Sequence, residues 1–266
     1  MESARSDSTT MREDVTVNGL EPKQAHVESA KRALPGPGYR AVLVWIHRAL
    51  KPSSYLEIGV NKGESLRAAR PETICVGIDP MPMLDTPPDA RTRLFRMTSD
   101  EFFASQHLPQ LLGRDHFSLA FIDGLHLFEQ ALLDFIHLER FAGKDSVIIL
   151  HDCLPLDSAT SDRTRTTEFY SGDVWKLALC LRETRPDLQM VIVPTAPTGL
   201  CIVSGLDPAS TVLEREYERC LAAYLSLTFD DYRTRASHMP PAIANTKAAV
   251  MSYVGGLQSG APARSL

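Results

Sequence analysis

Two short segments, Phe121-Ile122-Asp123-Gly124-Leu125-His126 and Ile148-Ile149-Leu150-His151-Asp152-Cys153, each set carboxylate and imidazole groups directly after an apolar run. If each run is a strand of one parallel sheet, Asp123, His126, His151 and Asp152 converge at its carboxyl edge, where open α/β sheets bind ligands. Such a group can ligate a divalent metal, and its mixed nitrogen and oxygen donors suit Mn, Fe, Co, Ni or Zn at least as well as Mg. A dication there would hold a substrate hydroxylate and stabilise its ionised form. The same residues also permit a metal-free arrangement, in which His126 or His151 acts as general base near neutral pH and Asp152 orients the ring. Adjacent carboxylates favour the cation, because they repel unless a cation or proton separates them. A plainer reading makes Asp123 and His126 a helix cap and its neighbour, ahead of an amphipathic segment over 127–141, but it leaves His151 and Asp152 without a role.

A second signal precedes the first in the chain. Tyr55-Leu56-Glu57-Ile58-Gly59-Val60-Asn61-Lys62-Gly63-Glu64-Ser65 reads as a strand that ends in glycines and leads into a helix, a place where backbone can approach a ligand closely. Twenty-two positions after Glu57, Asp79 closes the apolar run Ile74-Cys75-Val76-Gly77-Ile78 and is placed to accept hydrogen bonds from ribose hydroxyls. A nucleotide-like cofactor is expected. The loop is not a dinucleotide fingerprint, since Asn61 stands at the second glycine position. The carboxylate of Glu57 also suits an ammonium or sulfonium better than a pyrophosphate.

A third signal is the long polar stretch over 154–176, placed after the fifth expected strand as an active-site lid would be. Within it, Arg163 and Arg165 are candidates for an anionic substrate group, Asp173 for a helix N-cap, and Trp175 for core or pocket wall. The remaining histidines, His26, His47, His107, His116, His137 and His238, have no partner spacing and read as structural or exposed.

The elements that must position these groups follow from hydrophobic period. Strands are expected over 55–58, 74–78, 94–97, 119–122, 147–150, 189–193 and 200–203, with helical stretches over 39–50, 64–69, 100–112 and 127–141 between or before them. This alternation implies a mainly parallel sheet covered on both faces. The last two strands are joined by a short turn with two prolines and a glycine, which predicts an antiparallel hairpin at one edge. Residues 1–38 read as a polar, mobile tail, 39–206 as the main domain and 207–266 as a helical extension, with helices over 208–227 and 239–254 and a frayed end.

Composition narrows the partners. A net charge of -5 argues against nucleic acid and anionic membrane, and no basic-aromatic pattern for stacking bases is present. No run approaches the roughly 20 apolar residues of a membrane span, no secretory signal is visible, and a cytoplasmic location is expected. The five cysteines are scattered without a C-x-x-C pair and read as reduced thiols. Small polar ligands remain open as partners, and the C-terminal helices could join a homo-oligomer.

Over residues 39–206 the chain resembles the class I S-adenosylmethionine-dependent methyltransferases, and is most similar to the small-molecule branch related to macrocin, rhamnosyl and catechol O-methyltransferases. The E-x-G-x-x-x-G element at Glu57, Gly59 and Gly63 resembles the family's first motif, and Asp79 its ribose-binding acid. The resemblance implies an α/β fold with a Rossmann-like seven-stranded, mainly parallel sheet, an antiparallel final hairpin and helices on both faces. It implies that Glu57, Gly59, Gly63, Asp79, Ser99, Asp100 and Asp123 hold S-adenosyl-L-methionine, with Ser99 and Asp100 against the adenine. It also places Asp123 and Asp152 where metal-dependent relatives hold Mg. The expected activity is methylation of a hydroxyl on a small-molecule acceptor, with His126, His151 and Asp152 serving the chemistry. Two rivals share the fold: a non-catalytic cofactor-binding or scaffold protein, and a nicotinamide oxidoreductase, which the missing G-x-G and Tyr-x-x-x-Lys patterns disfavour.

Overall fold

The computed structural model describes residues 22–258 apart from 88 and 90, so the parts of the expected tail and frayed end at 1–21 and 259–266 lie outside the described residues. Seven strands form one sheet in the order β3-β2-β1-β4-β5-β7-β6. The strands are β1 (Ser54–Ile58), β2 (Ile74–Ile78), β3 (Thr92–Phe95), β4 (Phe117–Ile122), β5 (Ala142–His151), β6 (Gln189–Val193) and β7 (Leu200–Ser204). The first five pair in parallel, and β7 runs antiparallel to both β5 and β6. This is the expected class I methyltransferase topology.

Every residue of β1 is buried, as a central strand covered on both faces requires. Alternate residues divide between two cores, because side chains on a strand point to opposite faces. Leu56, Ile58, Ile148 and Leu150 join one core with Phe128, Phe135, Trp175 and Leu177. Tyr55, Val147 and Ile149 join the other with Val42, Leu43 and Ile46. The first core is covered by α3 (Ser99–Ser105), α4 (Leu108–Leu112), α5 (Phe128–Glu139) and α6 (Trp175–Thr184), the second by α2 (Tyr39–Leu50).

The structure departs from the expected elements where local capping wins over period. The helix expected over 64–69 is one 3-10 turn, Leu66–Ala68, and that over 100–112 breaks into α3 and α4 at Gln106 and His107. Pro109 at the second helical position explains the new start, since it lacks an N–H and suits only the first turn. The third strand lies at Thr92–Phe95 rather than 94–97, because the Thr98 capping box starts α3 three residues after it. Within the segment expected as an unstructured tail, Pro22–Ala33 forms α1, with Ala30 buried. The C-terminal extension breaks into α7 (Val212–Arg215), α8 (Tyr217–Tyr224) and α9 (Phe229–Thr234) before α10 (Lys247–Gln258). Val250 and Val254 of α10 are fully buried in the core beneath α2, and Cys220 and Tyr224 of α8 in the opposite one. Residues 241–243 hydrogen-bond to Ile192 and cover the edge strand β6. Among the described residues, no helix is long and apolar enough to cross a membrane.

His47 on α2 is fully buried, and neither ring nitrogen has a hydrogen-bond partner among the described residues. Burial lowers its pKa to about 4. The folded state therefore resists a proton that the unfolded chain accepts below about pH 6.5, and stability falls from there toward pH 4 by roughly 1.4 kcal/mol per pH unit. His47→Leu, which keeps the volume, is expected to flatten this limb of a pH series of urea denaturation. An unchanged slope would show that the ring is solvated.

Candidate active site

The carboxyl ends of β1, β2, β4 and β5 open into one cleft of about 780 Å³, within the range of small-molecule sites. Gly59 ends β1 in the left-handed region at φ +89°, with a backbone oxygen of Asp123 where a Cβ would come within 1.9 Å. Its N–H donates to the Ile78 carbonyl at 2.9 Å, and the Asp123 N–H donates to the Ile58 carbonyl at 2.8 Å. Only a residue without a side chain lets the loops after β1 and β4 cross here. Asp79 then shapes the β1 loop from the end of β2. Its Oδ2 accepts from the Val60 and Asn61 amides at 2.9 and 2.7 Å, and its Oδ1 from the Met81 amide at 2.7 Å. Gly59, Asp79 and Asp123 line the cleft.

Glu57, Gly63, Ser99 and Asp100 are not among the residues that line it. Glu57 points into the second core, where it accepts from Tyr55 Oη at 2.7 Å and Ser65 Oγ at 2.6 Å. Burial pushes its pKa up to about 8 although both hydroxyls pull it down. It shapes the loop from beneath and does not face the cleft, a correction to its expected contact with the cofactor. Gly63 serves the same loop turn at φ +70°, with Leu84 packed 2.7 Å from a hypothetical Cβ. Ser99 and Asp100 sit at the start of α3, facing Gln130 Nε2 of α5 at 3.2 Å each.

At the other end of the cleft, Asp123, His126 and Asp152 each bring a ligand atom within 4.8 Å of the others. His126 Nδ1 stands 2.7 Å from Asp152 Oδ2 but out of hydrogen-bond alignment, and among the described residues this buried nitrogen has no hydrogen-bond partner. The other ring nitrogen, Nε2, lies 3.7 Å from Asp123 Oδ1, and an imidazole set between two carboxylates in this way is a donor set that fits a divalent cation. His151 stands beside this group rather than in it. Its Nδ1 lies 3.0 Å from Asp123 Oδ1, its Nε2 lies 3.5 Å from Thr198 Oγ1, and the Tyr39 ring packs 4.4 Å from its own. Nδ1 also lies 3.4 Å from Asp152 Oδ1, so both nitrogens face other groups of the site, and His151 is not one of the three residues whose ligand atoms cluster.

Charge balance follows the same geometry. Burial disfavours imidazolium at His151, but Asp123 and then Asp152 outweigh it and hold its pKa well above the ordinary value. At His126 burial is likewise outweighed, by Asp152 and Asp123. Burial pushes Asp152 up, and His151 and His126 overcome it to hold the group below the usual carboxylate range. Two carboxylates here require two positive charges, which two imidazolium rings or one dication can supply.

Several partners escaped the sequence reading. Thr198, in the turn between β6 and β7, donates to Asp152 Oδ1 at 2.5 Å. Because β7 is antiparallel to β5, with His151 opposite Leu200, its starting turn must lie at the carboxyl edge. The antiparallel hairpin itself was the available signal. In the lid, Arg163 is not free for substrate: it donates to Glu129 at 2.6 and 2.9 Å and to Asp173 at 2.8 Å. Arg165 is held by the Thr167 and Glu168 carbonyls and lies over the Tyr170 ring. Asp173 does not cap α6; it accepts from the Phe128 amide at 2.8 Å, the first turn of α5, so Asp123 and His126 are not that helix's cap either. Trp175 is core.

Residues 56–153 match the sequence model of a family described as a methyltransferase domain. Over this stretch, from β1 to just past the end of β5, the chain is similar to a methyltransferase domain. No curated protein matches the chain in sequence. Among solved structures, the chain is similar to the O-methyltransferase TomG of Streptomyces achromogenes, crystallised with S-adenosylmethionine, at 15% identity over 70% of this chain and 90% of that one, with a TM-score of 0.44. An O-methyltransferase from Bacillus cereus matches at 13% identity over 70% and 94%, TM-score 0.44. The Podospora anserina methyltransferase PaMTH1 matches at 14% over 68% and 86%, TM-score 0.45.

The position of Glu57 carries a pH dependence of its own. Its folded pKa is raised, so its contribution to stability is full below about pH 4.5 and is lost as pH rises toward 8, at roughly 1.4 kcal/mol per unit. Glu57→Gln is expected to remove that component, seen as a difference between the two denaturation series that grows with pH. A constant offset would place the carboxyl in water. Gly59→Ala is expected to cost 2 kcal/mol or more, by about the usual toll of a left-handed residue plus a backbone clash, with thermal melting as the readout.

Proposed function

We propose that the chain transfers the methyl group of S-adenosyl-L-methionine to a hydroxyl of a small-molecule acceptor, with a divalent cation held by Asp123, His126 and Asp152. The observation that carries this reading is the convergence of those three residues in the same cleft as the glycine loop and Asp79 of the methyltransferase domain. A bound dication would supply charge stabilisation for the acceptor's ionised hydroxyl.

The chain's own residues do the rest. Asp79 holds the β1 loop by its amides through Oδ2, and Oδ1, which accepts only from the Met81 amide, keeps a lone pair for a ribose hydroxyl. His151 fixes Asp123, and Thr198 fixes Asp152, so that both carboxylates are oriented before any ligand arrives. Leu125 and Met81, exposed at the cleft, together with Phe169 and Tyr170 of the lid, give the acceptor an apolar wall. A metal-free general base is the weaker reading, because both histidines are held toward their protonated forms and a protonated ring has no lone pair to accept the substrate's proton.

Calorimetric titration of chelator-treated protein with S-adenosylmethionine and with Mn tests this. Asp79→Ala is expected to weaken the cofactor at least tenfold and spare Mn, while Asp152→Asn abolishes Mn binding and spares the cofactor. Methyl transfer to a panel of hydroxylated acceptors should fall by about 10²-fold or more in Asp152→Asn. Absence of cofactor binding would overturn the proposal, and activity surviving in Asp152→Asn would remove the metal from it.

A further inference from the structure

We infer that Asp173 is a positioning residue for His126, and that ordering of the lid over 154–173 and assembly of the Asp123, His126 and Asp152 group are one event. The second half rests on the metal reading proposed above.

His126 is left-handed at φ +63°, a conformation disfavoured for any residue with a Cβ, so something must hold it there. The structure shows what grips it. The Asp173 amide donates to the His126 carbonyl at 3.3 Å, and two residues further on the Phe128 amide donates to Asp173 Oδ1 at 2.8 Å. Gly172 makes the grip possible, since a Cβ there would lie 1.9 Å from the His126 oxygen. The turn that aims the imidazole is therefore clamped on both sides by one lid residue.

Asp173 is itself fixed through its other oxygen. Oδ2 accepts from Arg163 and from Lys176 Nζ, each at 2.8 Å. Lys176 is buried and also donates to the Leu225 carbonyl, while Arg163 forks onto Glu129 of α5. Asp173 and Lys176 could satisfy one another without Arg163. The arginine, about one-third exposed and carried by the lid, ties the lid's position to the clamp. Tyr170 of the same segment stacks on the His126 ring at 5.9 Å. Displacing the lid thus loosens both the backbone and the ring of a proposed ligand, and by reciprocity a cation on His126 holds the lid down.

The full chain tests this with Arg163→Met, Asp173→Asn and the exposed control Arg182→Gln. Three readouts are needed: the His126 imidazole NMR resonance in metal-free protein, assigned with His126→Gln; Mn affinity by calorimetry; and the rate of tryptic cleavage after Arg165 with and without Mn. The expected result is a shifted or broadened His126 resonance in Arg163→Met and Asp173→Asn with His47 unchanged, and Mn affinity lowered about 10- to 100-fold. Mn should slow cleavage after Arg165 in wild type and Arg182→Gln but not in Arg163→Met. Should Asp173→Asn fail to fold, because it leaves Lys176 buried without its anion, Arg163→Met decides alone. Wild-type His126 resonance and Mn affinity in a folded Arg163→Met protein, with only cleavage accelerated, would overturn the inference. If wild-type protein binds no Mn, the metal reading and the coupling fall together, while the His126 resonance still decides the positioning role.

Discussion

Two carboxylates, Asp123 and Asp152, lie at the ends of adjacent strands, and their mutual repulsion is the constraint around which the site is built. Parallel pairing of β4 with β5 brings the strand ends together, and burial denies Asp152 most of its water, while Asp123 stays partly exposed at the cleft. Repulsion between unit charges a few ångströms apart grows severalfold when water is excluded. The chain answers with imidazoles on both sides: His126 between the carboxylates, and His151 behind Asp123. Either two protons or one dication would satisfy the balance.

Holding that geometry requires backbone conformations that the residues would not choose. Asp152 and His126 are both left-handed without being glycines. Each is held from a part of the chain far away in sequence: Asp152 by Thr198 of the hairpin turn, His126 by Asp173 of the lid. The sheet supplies rigid strand ends, and the loops supply clamps. Strain at one place is offset by hydrogen bonds and ion pairs made elsewhere, which is the usual arrangement where function fixes a backbone.

The sheet was legible because central parallel strands are nearly continuous apolar runs, and β2 and β6 were read to the residue. Helix extents were less so. Leu108–Leu112 follows Asp100 with no break in apolar spacing, yet the Thr98 capping box and Pro109 divide the segment. Asp123, His126, His151 and Asp152 were legible as a group because each follows a strand directly. Their roles were not, because the difference between a ligand and an orienter lies in which atom faces which. Glu57 shows the same limit: its place in the motif was plain, but strand alternation puts it on the face shared with Tyr55 and turns it into the core. Arg163 was read as a candidate for an anionic substrate group and Asp173 as a helix N-cap, because their partners, Glu129 and Phe128, come from another element. Polar pairs formed across long sequence distances leave no periodic trace.

The cleft has two halves built in different ways. The half at β1 and β2 is made of backbone: Gly59 allows the crossing, and Asp79 spends its carboxylate on loop amides, so the surface offered there depends on chain path more than on side-chain identity. The half at β4 and β5 is made of side chains whose charges balance one another. A backbone surface suits a ligand that is always the same, and a charged side-chain cluster beneath a lid suits chemistry on a ligand that varies. The two halves meet at one point, where Gly59 packs on the backbone of Asp123. A shift of the β1 loop therefore bears on the backbone of Asp123, which also donates its amide to the Ile58 carbonyl. Gly59 thus sets how closely the loops after β1 and β4 approach one another.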